Sequence, residues 1–419
     1  MRIALDIRYK TYSGSATYAR EVARNLLAAD HANSYVLIKY PDQTLETEHL
    51  ADAVIEAPRW PNLAEFLWTL TVLPLRLRRL NVDVYHALKM LAPYWNWTAT
   101  VSTLHSVQGS YRGEHHLSAT MKAYWWLYHR PQMKKSAAVI AVSEFLKEYG
   151  TEVAGLPEKM VHVIHNGCED TFRPMMPAEY MPVLEKFGLA PGYVLCVGNV
   201  IVVKNHITVV RALAKIADQT PAQLVIAGAT HHRHSCYVEL QDEIRRLGLE
   251  DRVRFLGLVD RDDLPALLNG ARVMAFPSLQ EGCPVAMIEC FKCGTPLIAS
   301  VVPPVAELGR GFAPLVDDPR EPRQLAAHLL EVLTSDQRHA ALRRLALEAG
   351  SRYSWRKSAL AHLEVYKTCF NVRHRIMPAG PSRQPVIEPI RSDSDSRLAD
   401  ASATEPSADA LLARDRSTS

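Results

Sequence analysis

Short apolar segments alternate with amphipathic segments along most of this chain, and this alternation limits the folds that it can adopt. The apolar segments have the length of buried strands, and they form two series: "RIALDI", "SYVLIKY", "VDVYHAL", "TVSTLHS" and "AAVIAVSE", then "YVLCVGN", "QLVIAG", "VRFLG", "VMAFPS" and "PLIAS". The segments between them have helical periodicity, as where Tyr18, Val22 and Leu26 share one face. Such alternation predicts parallel sheets covered by helices on both faces. Two series predict an α/β protein of two doubly wound domains.

The chain is predicted to divide where this alternation is interrupted. At 419 residues it is too long for one ordinary domain, and the prolines of "GCEDTFRPMMPAEYMP" mark a linker. We therefore predict an N-terminal domain over residues 1–170 and a C-terminal domain over residues 171–351. Residues 372–419 are predicted to be a disordered tail, because this segment has too few apolar residues to offset the entropy of ordering.

Charge and cysteine content argue against several classes of protein. The net charge of +3 is too small to indicate nucleic-acid binding, and no apolar run has the length of a membrane-spanning helix. The beginning, "MRIALDIRYK", lacks the apolar core of a secretory signal. Seven cysteines, an odd number, indicate reduced thiols. These features predict a cytoplasmic protein.

Two glutamates make "PSLQEGCPVAMIECFKCGTPLIAS" the most informative stretch, because a carboxylate is costly to bury without a partner. The stretch predicts a strand, a loop, and a helix that starts at about Pro284 and is capped by Gly294. Glu281 would then lie in the loop at the carboxyl end of the strand, where open α/β sheets bind ligands. Glu289 would lie more than one turn into the helix.

The loop and helix predict a site for a polyhydroxylated ligand. The amides of Cys283, Val285 and Ala286 are expected to be unpaired and to face the same crevice. Carboxylates on both sides of them would accept hydrogen bonds from sugar hydroxyls. A purely structural explanation fits these residues equally well: one glutamate caps the helix and the other pairs with a lysine.

The same stretch resembles the hallmark segment of retaining glycosyltransferases of family four, E-G-F-G-x-P-x-x-E-A-x-A-x-G-x-P. The matching residues are Glu281, Gly282, Glu289, Gly294 and Pro296. Cys283 and Pro284 replace Phe and Gly, a change that resembles the E-G-x-P variants of this family.

Further segments resemble the family in order, from residue 1 to about residue 370. They are the glycine loop and helix "SGSATYAREVARNL" with Gly14, the strand "STLHS" with His105, the serine strand "VIAVSEF", the turn "VIHNGCEDTFRP", and the phosphate loop "LCVGNVIVVKNHITVVRAL" with Lys204. So many ordered matches are hard to obtain by chance.

The resemblance implies a GT-B architecture: two Rossmann-like domains facing across a cleft, with a helix at residues 352–371 crossing back onto the first. It implies a retaining transferase that moves a mannose- or glucose-type hexose from a UDP- or GDP-linked donor to a glycan or glycolipid acceptor. Neither a metal ion nor any other cofactor is expected.

The resemblance also assigns roles to individual residues. Glu289 would accept hydrogen bonds from the nucleotide ribose, Glu281 would lie near the donor sugar, and Lys204 would contact the diphosphate. The catalytic set is His105, Lys204 and Glu281. The donor-binding set is Gly14, Asn199, Lys204, Gly282, Cys283, Pro284, Val285 and Glu289.

Two positions depart from the family pattern. Asn199 stands where the family often has arginine, five residues before Lys204, so half of the expected cationic clamp is missing. Ser106 follows His105 where the family has aspartate, so the histidine lacks a neighbouring carboxylate. A contact with the donor sugar is still expected of His105, whereas we assign it no role as a general base.

Two stretches combine aromatic and basic residues, "RWPNLAEFLWTLTVLPLRLRRL" and "MKAYWWLYHRPQMKK". In one interpretation they contact the headgroups of an anionic membrane, where a lipid-linked acceptor would be found. In the other, the aromatic residues belong to the core and the basic residues are solvated. The first interpretation predicts a peripheral protein on the inner face of the cytoplasmic membrane.

The sequence therefore predicts a glycosyltransferase of cell-surface polysaccharide assembly, such as that of lipopolysaccharide. Two alternatives remain: a GT-B sugar-nucleotide epimerase, and a catalytically degenerate nucleotide-binding partner subunit, motivated by Asn199 and Ser106. The first loop argues against a dehydrogenase, because it has one glycine, Gly14, where a dinucleotide fingerprint has three.

Overall fold

The apolar runs of both series are strands in the computed structural model, which describes residues 1–10, 14–60, 62–89, 92–95, 97–106, 123–231 and 235–376. The first series gives β1 (Arg2–Asp6), β2 (Ser34–Lys39), β3 (Ala53–Glu56), β4 (Val84–Ala87), β5 (Ala99–Leu104), β6 (Ala138–Ala141) and β7 (Val161–Val163). The second gives β8 (Tyr193–Val197), β9 (Leu224–Ala227), β10 (Val253–Gly257), β11 (Ala271–Phe276), β12 (Leu297–Ser300) and β13 (Leu315–Val316).

Helices occupy the amphipathic segments between the strands. In the first series they are α1 (Gly14–Ala29), α2 (Asn62–Arg79), α3 (Arg130–Lys134) and α4 (Glu144–Glu152), with a π-helical turn at Trp125–His129. In the second they are α5 (Pro177–Lys186), α6 (His206–Lys215), α7 (Tyr237–Arg246), α8 (Leu264–Gly270), α9 (Val285–Cys293), α10 (Pro303–Gly309), α11 (Pro322–Thr334) and α12 (Asp336–Gly350). A last helix, α13, spans Trp355–Ile376.

The strands form two parallel sheets with the doubly wound order. The first sheet runs β3-β2-β1-β4-β5-β6-β7, and the second runs β10-β9-β8-β11-β12-β13. All pairings of these strands are parallel. The strand order reverses between β1 and β4 in one sheet and between β8 and β11 in the other. The carboxyl ends of these strand pairs are the places where doubly wound sheets bind ligands, and the predicted fold class is confirmed.

Apolar side chains cover each sheet on both faces, as the two series predict. The first sheet has one core that includes Leu5 and Val101 and a second that includes Val36 and Tyr85. The second sheet likewise has a core on each face. We call the two halves the first lobe and the second lobe.

The last helix packs against the first lobe. Trp355 and Tyr366 of α13 belong to the core that contains β5 and α1, and the Nε2 atom of His362 lies 2.6 Å from the hydroxyl of Tyr18 on α1. The helix ends at Ile376, so residues 372–376, which we assigned to the tail, are helical. The rest of the predicted tail lies outside the described residues.

Gly167 allows the chain to cross between the lobes. A Cβ atom at this position would lie 2.1 Å from the backbone nitrogen of Trp355. The segment that leaves the first lobe therefore packs, backbone against backbone, on the start of the helix that returns to it. Any side chain at residue 167 would force these two crossings apart.

Candidate active site

Two loops of the second lobe bring Lys204 and Glu281 together. Lys204 ends a 3₁₀ turn (Val202–Lys204) after β8, and Glu281 lies in the loop after β11, so both come from the point where the strand order reverses. The Nζ atom of Lys204 lies 2.6 Å from the Oε1 atom of Glu281, and both side chains are partly buried. The structure thus places a fixed cation at the predicted ligand edge of the sheet.

Gly198 makes room for this lysine. Its φ angle is +135°, and a Cβ atom there would lie 3.0 Å from the Cε atom of Lys204. The aliphatic stem of Lys204 thus passes over the glycine, and the ammonium group lies 5.0 Å from the ring centroid of Phe276. Gly198 and the ring of Phe276 restrict the conformations of the Lys204 side chain, so less conformational entropy is lost when Lys204 binds an anion.

The structure corrects part of the prediction for the helix α9. The helix begins at Val285, so Pro284 directly precedes it and is not its first residue. No side chain caps it, and the amide of Val285 is not unpaired, because it donates to the Cys283 carbonyl. Gly294 does form the C-terminal cap, with a φ angle of +73°. Glu281 pairs with a lysine, as the structural explanation supposed, yet the lysine is the one to which the resemblance assigns the diphosphate.

Glu289 lies inside α9 and is only 3% exposed. Its Oε1 atom is 2.6 Å from an Nη2 atom of Arg261, in the loop after β10. Neither atom makes an aligned hydrogen bond, so the contact is one of charge. Burial raises the pKa of Glu289, and the Arg261 guanidinium opposes that rise. A buried carboxylate with poorly aligned partners retains the capacity to accept hydrogen bonds from a ligand.

Arg261 and Glu169 are site residues that the sequence did not single out. Besides Glu289, Arg261 contacts Glu169 at 3.3 Å, and Glu169 contacts Arg20 of α1 at 3.4 Å. This chain of charges joins the second lobe, the crossing segment and the first lobe. The one sequence signal for Arg261 is its position just after a predicted strand, at the carboxyl end of β10.

His105 follows β5 in the first lobe. Its Nε2 atom lies 2.7 Å from the Leu88 carbonyl, so this nitrogen carries the hydrogen and Nδ1 is left as an acceptor. The ring meets Tyr18 edge to face, with centroids 4.7 Å apart. Burial lowers the pKa of His105 to about 4, so the ring is neutral near pH 7. Such a ring can accept a hydrogen bond from a hydroxyl but is a weak base.

The loop of Glu281 and the loop of His105 touch across the lobes. A Cβ atom at Gly282 would lie 2.1 Å from the His105 carbonyl oxygen, so residue 282 must be glycine for the two backbones to meet. Ser143, the N-cap of α4, donates its hydroxyl to the Gly282 carbonyl at 3.0 Å and accepts from the Leu146 amide. The structure therefore brings the three predicted catalytic residues to one region from two lobes.

The remaining predicted donor-binding residues lie around this contact. Asn199 is in the loop of Lys204, but its Oδ1 atom accepts from the Ala229 amide at 3.2 Å and so joins the loops after β8 and β9. Cys283 packs against cores of both lobes, and burial raises the pKa of its thiol to about 12, so it is no nucleophile. Gly14 begins α1, where a Cβ atom would meet no described atom within 4 Å.

The described part of the chain contains neither a metal-binding cluster nor a membrane-spanning helix. None of its clusters of His, Cys, Asp and Glu is suited to hold a metal ion. Its helices are all too short or too polar to cross a lipid bilayer.

Two facing parallel-sheet lobes with polar loops at their strand ends define a GT-B protein, and known structures share this arrangement. A glycosyltransferase from Rickettsia africae superposes with a TM-score of 0.68 and 19% identity, over 88% of this chain and 98% of that one. HepE from Anabaena, crystallised with UDP and glucose, superposes with a TM-score of 0.71 and 20% identity, over 88% and 100%.

Sequence comparison identifies the family. The model of Glycosyltransferase Family 4 matches residues 12–172, and the model of Glycosyl transferases group 1 matches residues 185–348. The O-antigen chain mannosyltransferase B of Escherichia coli is 25% identical over 70% of this chain and 76% of its own length. A D-inositol 3-phosphate glycosyltransferase of Xylanimonas cellulosilytica is 27% identical over 70% and 68%. The chain belongs to the glycosyltransferases of family four.

Proposed function

We propose that this protein transfers a mannose- or glucose-type hexose from a nucleotide-diphosphate sugar to a glycan or glycolipid acceptor, with retention of configuration and without a metal ion. The observation that carries the proposal is the Lys204–Glu281 pair, at 2.6 Å, in contact through Gly282 with the His105 loop of the other lobe. A cation, a carboxylate and a neutral histidine meet there, at the ligand edge of a doubly wound sheet.

The cation serves the leaving group. As the bond between the anomeric carbon and the diphosphate oxygen breaks, negative charge grows on the diphosphate, and Lys204 stabilises this charge more in the transition state than in the ground state. The acceptor hydroxyl bonds to the anomeric carbon on the face that the diphosphate leaves. Its proton passes to the departing diphosphate oxygen, so no protein nucleophile is required.

The other polar groups orient the donor. Glu281 fixes the Lys204 ammonium and lies beside the donor sugar, while the buried Glu289 accepts from the ribose hydroxyls. When the ribose binds to Glu289, Arg261 has to give up part of its contact with this carboxylate. Arg261 keeps the carboxylate of Glu169 as its second partner. His105 accepts a hydrogen bond from a sugar hydroxyl at Nδ1, because its Nε2 atom already donates to the Leu88 carbonyl.

The choice of hexose and pathway is supported by the relatives. One curated relative is an O-antigen chain mannosyltransferase, and the structural neighbour HepE was crystallised with UDP and glucose. We place this protein on that basis in surface polysaccharide assembly, on the cytoplasmic side of the membrane.

A donor and product experiment tests the proposal. The purified protein is expected to show raised thermal stability with one class among UDP-, GDP- and ADP-hexoses, and to form a product whose anomeric configuration, measured by NMR, equals that of the donor. Conversion of the donor into another nucleotide sugar without any acceptor would favour the epimerase instead. Nucleotide binding without transfer to any acceptor would favour the degenerate subunit.

An exposed apolar and basic surface of the first lobe supports membrane contact. We call the following residues the aromatic patch: Leu63, Leu67, Leu75, Trp95, Trp97, Trp126 and Leu127, each about half exposed or more. They lie on α2 and on two neighbouring segments. Arg78 and Arg130 stack on Trp97 and Trp126, with distances of 4.8 and 4.7 Å to the ring centroids. Exposed indole rings beside guanidinium groups match the headgroup region of an anionic bilayer.

The aromatic patch is expected to bind vesicles. The protein should co-sediment with phosphatidylcholine vesicles that contain phosphatidylglycerol, and salt should release it, because exposed charges are screened. The double variant Trp95→Ser/Leu127→Ser should bind at least about tenfold more weakly, since each side chain loses apolar area to bury. Val238→Ser, at an exposed valine of α7 in the second lobe, is the control. Equal vesicle binding by the double variant and the control would contradict membrane contact through this surface.

A further inference from the structure

A cavity of about 310 Å³ lies at the carboxyl ends of β1 and β2 in the first lobe. Its walls come from the segment after β1, the first turns of α1, the segment after β2 and the segment before α2, and one residue, Arg261, comes from the second lobe. A cavity of this size holds a small ligand. Neither Lys204 nor Glu281 lines it, so it is distinct from the loops to which we assign the donor diphosphate.

The charges of the cavity are strongly unbalanced. Its charged lining residues are Lys10, Arg20, Arg59, Arg261 and Asp42. Four cations thus face one carboxylate, although the net charge of the whole chain is only +3. Clefts lined by one sign of charge concentrate ions of the opposite sign.

Arg20 and Arg59 are the most exposed of these cations, whereas Glu65 holds Lys10 at 2.8 Å and Glu289 holds Arg261 at 2.6 Å. Arg20 reaches Glu169 at 3.4 Å and Glu21 at 3.3 Å. These contacts are longer than the 2.7–2.9 Å of a strong charge-assisted hydrogen bond. An anion that approaches closely can therefore take over these donors, while Arg59, 46% exposed and paired with Asp42, presents a fork suited to two oxygen atoms of a phosphate.

A buried network holds the cavity wall in place from behind. The guanidinium of Arg8 binds both carboxylate oxygens of Asp6, at 2.8 and 2.6 Å. Glu65 of α2 accepts from Lys10 at 2.8 Å and from Lys89 at 3.0 Å. Arg59 also donates to the Lys10 carbonyl at 3.1 Å. Because Lys10 and Arg59 are fixed before any ligand arrives, little entropy is lost on binding.

We propose that this cavity binds a phosphate or diphosphate group carried by the acceptor, so that the acceptor of this enzyme is an anionic, phosphate-bearing molecule. The inference rests on the proposed function, because it names the class of molecule that accepts the sugar. The cavity lies at the carboxyl edge of the first sheet, at β1 and β2 and beside the strand-order reversal between β1 and β4, as the donor loops lie at the carboxyl edge of the second sheet. An enzyme that joins two substrates across two such sheets has one ligand edge for each.

The position of the cavity also suits an acceptor in a lipid surface. The ammonium of Lys10 donates to the Trp60 carbonyl at 3.1 Å, and the helix α2, which carries part of the aromatic patch, begins at Asn62. A phosphate at the membrane surface and a soluble phosphate have the same chemistry in the cavity, and separate measurements distinguish these sources.

Calorimetric titration of the full-length protein with inorganic pyrophosphate tests the proposal. Pyrophosphate can also bind at Lys204, so the expected result is that one site survives Lys204→Ala and that this site is weakened about ten- to a hundredfold by Arg59→Gln, the scale of a lost charge-assisted hydrogen bond. The control is Arg173→Gln, because Arg173 is 53% exposed and also paired with a carboxylate, yet lies outside the cavity. Titration with UDP and GDP reports separately on the donor site, and Arg59→Gln should leave it unchanged.

The same variants are compared on phosphatidylcholine vesicles that contain phosphatidic acid. Weaker binding of Arg59→Gln than of Arg173→Gln to these vesicles identifies a lipid phosphate, whereas an effect on pyrophosphate alone identifies a soluble one. Pyrophosphate binding that Lys204→Ala abolishes, or that Arg59→Gln and Arg173→Gln affect equally, would overturn the proposal. If no nucleotide binds while the Arg59-dependent pyrophosphate site persists, the proposed donor chemistry fails and the anion site stands.

Discussion

Replacing Lys204 with alanine is expected to lower the turnover of sugar transfer about a hundredfold or more, the scale seen when one electrostatic donor is lost from a transition-state site. The leaving diphosphate gains negative charge as the glycosidic bond breaks, so a fixed cation stabilises the transition state more than the bound donor. Initial rates at saturating donor, together with calorimetric donor affinity, should show that the loss falls mainly on kcat.

The contact with Glu281 decides the controls for this experiment. Without Lys204, the Glu281 carboxylate, partly buried, loses the cation 2.6 Å away, and an unpaired carboxylate would itself disturb an anionic donor. The double variant Lys204→Ala/Glu281→Gln removes that charge as well and should remain strongly impaired. Lys215→Ala, at the exposed end of α6, should keep full turnover. Full recovery in the double variant would show that Lys204 only neutralises Glu281, contrary to the proposed mechanism.

Acidification from about pH 6.5 towards pH 4 is expected to remove a large part of the free energy of unfolding. Burial lowers the pKa of His362 to about 4, that of His206 to about 3, and that of His86 well below its ordinary value near 6.5. The unfolded chain binds these protons near pH 6.5 and the folded protein only at much lower pH, so stability is full above this window and falls within it. At pH 5 the neutral rings of His362 and His206 each cost about 2 kcal/mol of unfolding free energy, against about 5–15 kcal/mol for a whole domain.

Hydrogen bonds keep the His362 ring neutral in the fold. Its Nδ1 atom donates to the Ser358 carbonyl at 2.7 Å, and its Nε2 atom accepts from Tyr18 at 2.6 Å. A proton on Nε2 would break the second contact. Burial raises the pKa of Glu289, which gives an effect of the opposite sign, but three buried histidines outweigh it in this window.

Urea unfolding measured at intervals between pH 7.5 and pH 5 checks this expectation. His362→Gln should reduce the slope of unfolding free energy against pH by up to about 1.4 kcal/mol per pH unit, the value for one proton. His31→Gln, at an exposed position, should leave the slope unchanged. A stability that is constant over this range, or an equal slope in the two variants, would show that the buried rings are not the groups that titrate.

The periodicity of the chain was sufficient to predict its two sheets. Runs such as "RIALDI" and "YVLCVGN" have apolar residues on both faces at their centres, so they are stable only inside sheets covered on both sides. The structure confirms this in β1 and β8, which lie next to the strand-order reversals of their sheets. The end of the helix α9 could also be predicted from the sequence. Gly294 caps it with a φ angle of +73°, and few residues other than glycine adopt that conformation readily.

The sequence by itself thus determined the class of fold, the family, and the loops at strand ends where polar residues collect. Only the tertiary structure decided which charges meet: Lys204 with Glu281, Arg261 with Glu289, and Lys10 and Arg59 around one cavity. The physical reason is that local periodicity reports which face of a segment is buried, whereas an ion pair depends on how separate loops are placed in space. Lys204 and Glu281 are 77 residues apart along the chain, and the parallel strands β8 and β11 bring their loops together only once the sheet has formed.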